Sequence, residues 1–363
     1  MKELGISIYP SSSNIEEDKK YLKLASKYGF TRIFTSLLEI TGDRDEVVHK
    51  YKEIIEYGND LGMKTILDVN PGLFEQLEID YDDLSFFKNI GAAGVRLDGA
   101  FDGNKEARMT KNEYGLTIEI NMSMGTSYLD LIMDHQPNRD KLIGSHNFYP
   151  MTYSGLSRSH FEKTTNNYKK NNIHSAAFIS SQVGNLGPWP VQNGLVTLEE
   201  HRDLPIAIQV AHYKELDTID DLLIGNAYAS EEELKSVAEV FFSPHILIPI
   251  KFSKEPTDLE KKVILDEVHS YRGDRSEYMI RSSQTRVKYK EKDFPKGVTT
   301  GIEKGSIIVG NNNFGQYKGE TQIALKPMRD DGTRNVVGQV LPEAECLIDD
   351  LKPLSTFKFV EGE

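Results

Sequence analysis

Cysteine is nearly missing from this chain. Cys346 is the only one in 363 residues, which excludes an intrachain disulfide and a cysteine zinc cluster. Tryptophan is equally rare, with Trp189 alone. No apolar run approaches the roughly 20 residues of a membrane helix, so no membrane partner is expected. The start, Met1-Lys2-Glu3-Leu4-Gly5-Ile6, lacks the charged-then-apolar order of a signal peptide. The expectation is a cytoplasmic protein. Positive charge is in deficit, with 43 Lys and Arg against 56 Asp and Glu, a net charge of −13. That balance argues against a nucleic-acid partner. It leaves small anionic substrates open, because a site answers to its local charges. Neither a G-x-x-x-x-G-K-[ST] loop nor an H-E-x-x-H helix occurs, and no metal-ligand spacing stands out. No cofactor and no metal are expected. There is no internal repeat and no low-complexity segment.

What is present is a rhythm of short apolar strands, each followed by a helical stretch. Strands are predicted at 4–9, 30–36, 64–69, 93–98, 116–121, 142–144, 175–180 and 221–226. Pro10, Gly29, Gly62, Pro71, Gly99 and Pro150 punctuate them. Ser13 with Glu16, and Ser230 with Glu233, have capping-box spacing. A helix is expected over 197–216, kinked at Pro205. Eight strand-then-helix units in the first 242 residues suit a (β/α)8 TIM barrel, typically about 250 residues long. An open doubly wound sheet is the alternative, and the count of eight favours the barrel. After residue 243 the pattern becomes β-rich: 245–251, 278–281, 286–289, 305–310, 320–325 and 336–341, with one helix over 258–268. The chain therefore reads as an α/β barrel domain, 1–242, and an all-β domain of sandwich or small-barrel type, 243–363.

Barrel enzymes gather their chemistry at the carboxyl ends of their strands. Those ends supply Glu39, Asp68, Asp98 and Glu119 from four consecutive strands, then Asn121, His146, Asn147, Tyr149, Ser180, Gln182 and Asn226. Acids are rarely buried unpaired, and some of these could instead cap helices or pair with Arg32, Arg96 or Lys64. Two neighbouring carboxyl groups suit glycosidic cleavage, one as proton donor and the other as nucleophile or base. Asp68 and Asp98 are the first candidates as catalytic residues. Glu39 and Glu119 are reserves, since Glu119 alternates with Ile118 and Ile120 and could sit deeper in the barrel. A 2-acetamido sugar adds a substrate-assisted route, and sequence does not choose among the routes. Asn121, His146, Asn147, Tyr149, Gln182 and Asn226 are read as substrate-binding, although a strand-end histidine is often structural. Trp189 could stack on a sugar or pin its loop.

Residues 268–290 carry four Arg and two Lys against two acids, a local reversal of the chain's charge. Arginine forks and serine hydroxyls hold phosphate or carboxylate, which nominates Arg272, Ser276 and Arg281. A solvated basic strand face is the plain alternative. A competing anion site is the loops after strands seven and eight, with Ser180, Gln182, Gly184, Asn185 and Gly225-Asn226.

The stretch Leu142-Ile143-Gly144-Ser145-His146-Asn147-Phe148-Tyr149-Pro150, followed by Tyr153-Ser154-Gly155-Leu156-Ser157, resembles a motif of the bacterial 6-phospho-N-acetylmuramidase family. Three further segments share the resemblance. They are Gly5-Ile6-Ser7-Ile8-Tyr9, the run Thr197-Leu198-Glu199-Glu200-His201-Arg202, and the set Arg272, Asp274, Ser276 and Arg281. Met151 stands where many relatives carry arginine, so any anion contact made there would pass to Arg158 or Arg281. The resemblance implies a cyclophilin-like second barrel leaning over the mouth of the first. It also implies hydrolysis of the 6-phospho-N-acetylmuramic acid–N-acetylglucosamine disaccharide during peptidoglycan recycling. The alternatives are a sugar-phosphate lyase or isomerase on the same barrel, and a non-enzymatic carbohydrate-binding or surface-associated protein.

Overall fold

Eight apolar runs pair in sequence order and close on themselves. In a computed structural model, which describes residues 2–38, 43–189, 193–253, 256–297 and 301–362, these strands are β1 (Leu4–Ile8), β2 (Phe30–Ser36), β3 (Lys64–Val69), β4 (Gly94–Leu97), β5 (Thr117–Asn121), β6 (Leu142–Ser145), β7 (His174–Ile179) and β8 (Asp221–Ile224). Every pair is parallel, and β8 returns to β1, so the barrel is closed. Buried on both faces, the strands read as near-continuous Ile, Leu, Val and Phe rather than as strict alternation. The register sets Ser36, Asp68, Arg96 and Glu119 beside one another across β2 to β5. Gly5 is required by that interior: a Cβ there would come within 2.9 Å of the Arg32 Cβ.

Several local expectations shift. The first helix, Ile15–Lys27, is capped by Asn14, whose side chain accepts the Glu16 and Glu17 amides. Ser13 instead donates to Asp18 at 2.5 Å. Pro205 ends rather than kinks the expected 197–216 helix, leaving a 3-10 turn, Glu199–His201, and a helix, Ile206–Leu216. The capping box before Glu231–Phe242 forms as expected, with Glu233 and Ser230 bonded reciprocally at 3.2 Å.

The chain divides into two compact units, one of Met1–Val210 with Asp217–Phe241, the other of Ala211–Leu216 with Phe242–Glu363. The second contains β9 (Ile246–Phe252), β10 (His269–Ser270), β11 (Met279–Ser282), β12 (Ser306–Gly310), β13 (Thr321–Ala324), β14 (Arg334–Val340) and β15 (Thr356–Glu361). They form one mixed sheet in the order β10-β15-β9-β14-β12-β13-β11. His269 and Ser282, 3.2 Å apart, bring its two edge strands together, so the sheet curls nearly shut. Inside lie Ile307, Ile323, Val340 and Phe357. The strand expected at 286–289 is part of a short helix, Gln284–Lys288. Its apolar residues do alternate, yet Val287 is 69% exposed, so the alternation is not a burial pattern. The last strand, β15, was not expected, although Phe357 and Phe359 alternate inward along it.

Candidate active site

A column of charges runs up the inside of the first barrel. Arg32 donates to Asp221 and to Glu119, each at 2.6 Å, and all three side chains are almost fully buried. Above them, Arg96 Nη1 meets Asp68 at 2.6 Å and Asp98 at 3.3 Å, while its Nε donates to Ser145 at 2.8 Å. Its remaining nitrogen donates to the Asn147 carboxamide oxygen. Buried charges persist only when paired and hydrogen-bonded, and each of these has such partners.

Asp68 and Asp98 share Arg96 but not an environment. The Asp68 side chain is 7% exposed and that of Asp98 is 40%. Burial pushes the Asp68 carboxyl up to about 6, against the opposing pull of Arg96. Ser36 also donates to it, at 3.3 Å. Both carboxylates reach one nitrogen, at 2.6 and 3.3 Å, so they face one point of the mouth. A 130 Å³ cavity opens over them, lined also by Phe34, Phe148, Phe178 and Trp189. Phe148 packs edge-on against the other three rings, with centroids 5.0–5.9 Å apart. Trp189 therefore both braces its loop and walls the cavity.

The other candidates divide. Asn147 joins the mouth, fixed through Ser123 at 2.8 Å and Thr197 at 2.9 Å. Tyr149 is half-buried beside it, with its peptide N–H on the Val196 carbonyl at 3.0 Å. Burial raises its phenol above the ordinary range. Glu119 is 1% exposed below Arg96 and belongs to the ionic column, deeper in the barrel. His146 is not among the residues lining the cavity. It is wholly buried, with its nitrogens 3.3 Å from Ser123 and 2.8 Å from Thr165, and burial pushes it down to about 3. Asn121 accepts the Ser123 amide at 2.9 Å in its own turn. Glu39 lies outside the described residues.

The loops after β7 and β8 form a second, polar pocket of 380 Å³ containing Gln182 and Asn226. Asn226 spends its amide on the Ser181 and Gly184 carbonyls, each at 2.9 Å, and Gln182 spends its own on Leu204 at 2.9 Å. The Gly184 N–H goes to Ser181 at 2.7 Å. These donors hold the loops together, which disfavours the phosphate cradle expected there. Sequence reasoning also missed Glu199. It accepts the Tyr153 and Gly155 amides at 2.6 and 2.7 Å and grips Arg202 through a fork of 2.7 and 2.6 Å. With these partners its carboxyl sits at about 2, the Arg202 hydrogen bonds being the largest cause. Removing it as Glu199→Ala is expected to cost about 1–3 kcal/mol, read by urea denaturation, because buried Arg202 and two amides lose their acceptor.

In the second unit Arg272 forks onto Asp274 at 2.7 Å, and Ser276 accepts the Tyr278 amide at 3.2 Å. Arg281 forks onto fully buried Glu320 at 2.7 and 3.0 Å, and Arg286 meets the same carboxylate at 3.0 Å. Both guanidinium groups lie over the Tyr317 ring. A 460 Å³ pocket there is lined by Arg275, Ser276, Arg281, Phe314, Tyr317 and Arg334. Ser276 and Arg281 thus share a cavity, whereas Arg272 is not among its lining residues. Phe314, Tyr317, Glu320 and Arg334 come from distant sequence and carried no local signal.

Residues 4–239 match the family model described as 6-phospho-N-acetylmuramidase, N-terminal, and residues 246–360 match the corresponding C-terminal model. The crystal structure of an uncharacterized B. cereus protein is similar over 99% of both chains, with 45% identity and a TM-score of 0.92. That of a conserved Enterococcus faecalis protein of unknown function shares the fold, with 20% identity, a TM-score of 0.76, and coverage of 99% of this chain and 96% of that one. A comparison with curated proteins gives no match. Among the described residues no helix is long and apolar enough to cross a membrane.

Proposed function

Since the chain belongs to the 6-phospho-N-acetylmuramidase family, we propose that it is a glycoside hydrolase cleaving the 6-phospho-N-acetylmuramic acid–N-acetylglucosamine disaccharide, in the cytoplasm, for peptidoglycan recycling. The observation that carries the chemistry is the pair of unequal carboxylates on Arg96 at the barrel mouth. Asp68, buried and titrating near about 6, is the proton donor to the leaving oxygen. Asp98, solvated beside it, attacks the anomeric carbon or orients the substrate's acetamido oxygen to do so. Water then takes up the sugar, and the proton returns to Asp68. Arg96 offsets the negative charge of the pair and, with Asn147, fixes their geometry. The apolar wall of Phe148 and Trp189 suits the acetamido methyl and the sugar face.

The anion site we assign to the second unit, with Arg281 and Ser276 joined by Arg275 and Arg334 and with Arg272 close in sequence. Glu320 and Tyr317 preset the Arg281 fork, so little is lost in ordering it. Its chemistry suits a phosphate or a carboxylate.

The test is mass spectrometry of the disaccharide, with and without the phosphate, incubated with the protein in heavy-oxygen water. Cleavage of the phosphorylated form, with label in the muramyl product, is expected. Cleavage without label would replace hydrolysis by elimination, and an unchanged disaccharide would return the protein to the binding class. The Arg281→Met variant should lose one of the protein's phosphate-binding events, read by calorimetry with inorganic phosphate; an unchanged titration removes the anion site from this pocket.

A further inference from the structure

The barrel has a second opening, at the amino ends of its strands, away from Asp68 and Asp98. There Glu3, Lys64, Thr117, His174 and Asp221, all at strand starts, surround a cavity of 440 Å³. Pockets for small metabolites run from about 300 to 1,000 Å³. Four permanent cations line it, Arg32, Lys64, Lys88 and Lys141, against two carboxylates, in a chain whose net charge is −13.

Both carboxylates are already engaged. Glu3 accepts Lys64 at 3.0 Å, and Asp221 is held by Arg32 at 2.6 Å and by His174 at 2.9 Å. Three further acids stand behind the lining, Glu119 at 2.6 Å from Arg32, Asp220 at 3.6 Å from His174 and Asp83 at 2.7 Å from the Tyr114 hydroxyl. Lys141 donates to the Gly115 carbonyl at 2.6 Å and meets no carboxylate among the described residues. Lys88 has no ion-pair partner among the described residues. Two ammonium groups are therefore left without an anion on the wall of one cavity, whose inner surface is apolar at Ile66 and Ile143.

We propose that this pocket binds a small phosphorylated metabolite as an effector, its phosphate between Lys88 and Lys141 and its uncharged body toward Ile66 and Ile143. Lysines act as compact point charges and suit a phosphate, whereas a carboxylate is better matched by an arginine fork. The single arginine here is already committed to Asp221 and Glu119. The ligand is distinct from any substrate at the mouth, because the two openings lie at opposite ends of the strands. The assignment stands whether or not the hydrolase reading does.

Calorimetric titration with inorganic phosphate, at constant ionic strength, tests it on the full chain carrying Arg281→Met, so that the anion site assigned to the second unit does not contribute. Saturable binding is expected, and Lys88→Ala with Lys141→Ala should weaken it at least about tenfold, or about 1.4 kcal/mol. Charge reversal, Lys88→Glu with Lys141→Glu, should abolish it, with circular dichroism confirming the fold. Saturable phosphate binding that survives charge reversal in that background overturns the proposal, as does a titration with no saturable component.

Discussion

Replacing Asp98 by asparagine is expected to lower kcat on the phosphorylated disaccharide by about a thousandfold or more, with the fold intact. A positioned proton-transfer group contributes about 10²–10⁴, and a lost attacking or orienting oxygen costs at least as much. The side chain is 40% exposed and only 3.3 Å from Arg96, so little packing is lost. Asp68→Asn should lower kcat similarly, and it leaves Arg96 a neutral carboxamide oxygen in place of the carboxylate 2.6 Å away. The pH profile separates the two roles. Burial raises Asp68 to about 6, so its acid form is present below that pH and fades above it. The rate should accordingly fall as pH rises through about 6. Asp98→Asn should retain that limb at its reduced rate, and Asp68→Asn should lose it. An alkaline limb that persists in Asp68→Asn gives the proton donor's place to another group. The same shift has a stability consequence of opposite sign to most carboxylates. Asp68 binds its proton more tightly folded than unfolded, so its contribution is greatest below the unfolded value of 3.8 and is lost as pH rises through about 6.

The barrel was legible because each strand is an apolar run stopped by proline, glycine or a polar turn, and eight such runs have few ways to pack. The carboxylates at the mouth were legible for a related reason: an acid at the end of an apolar strand has few places to go. Which acids remain at the mouth was not legible. That depends on partners across the barrel, such as Arg32 and Glu119, 87 residues apart. His146 could have been placed more accurately from strand alternation alone. Ser145 and Asn147 both bond to Arg96 inside the barrel, so the residue between them faces outward, where His146 packs on Phe161 with ring centroids 4.7 Å apart. In the second unit the basic segment was visible, but its organising carboxylate was not. Glu320 lies 39 residues from Arg281, and only the β11–β13 pairing brings them together.

The largest effect on stability is expected at Arg32 rather than at the mouth. Arg32→Met removes the one guanidinium that meets both Asp221 and Glu119, leaving two buried carboxylates with diminished compensation. Breaking a buried pair costs about 3–5 kcal/mol, a large part of the stability of most domains, and urea unfolding should register it. Acid dependence identifies the cause. Burial alone would raise Asp221, yet the hydrogen bond from His174 and the charge of Arg32 hold its carboxyl below the ordinary range in the intact protein. There it contributes stability above its unfolded value, lost as pH falls through the depressed folded one. Without Arg32 the burial cost is less compensated and the folded value rises. The deficit of Arg32→Met should therefore be greatest near neutral pH and shrink as the medium is acidified toward about pH 4, because protonation then removes the poorly paired charge. Adding Asp221→Asn to Arg32→Met should recover part of the loss at pH 7, a coupling that two independent packing defects do not produce. A deficit that stays constant with pH, and adds simply in the double variant, would mean that Arg32 supports the barrel by the volume of its side chain and not by its charge.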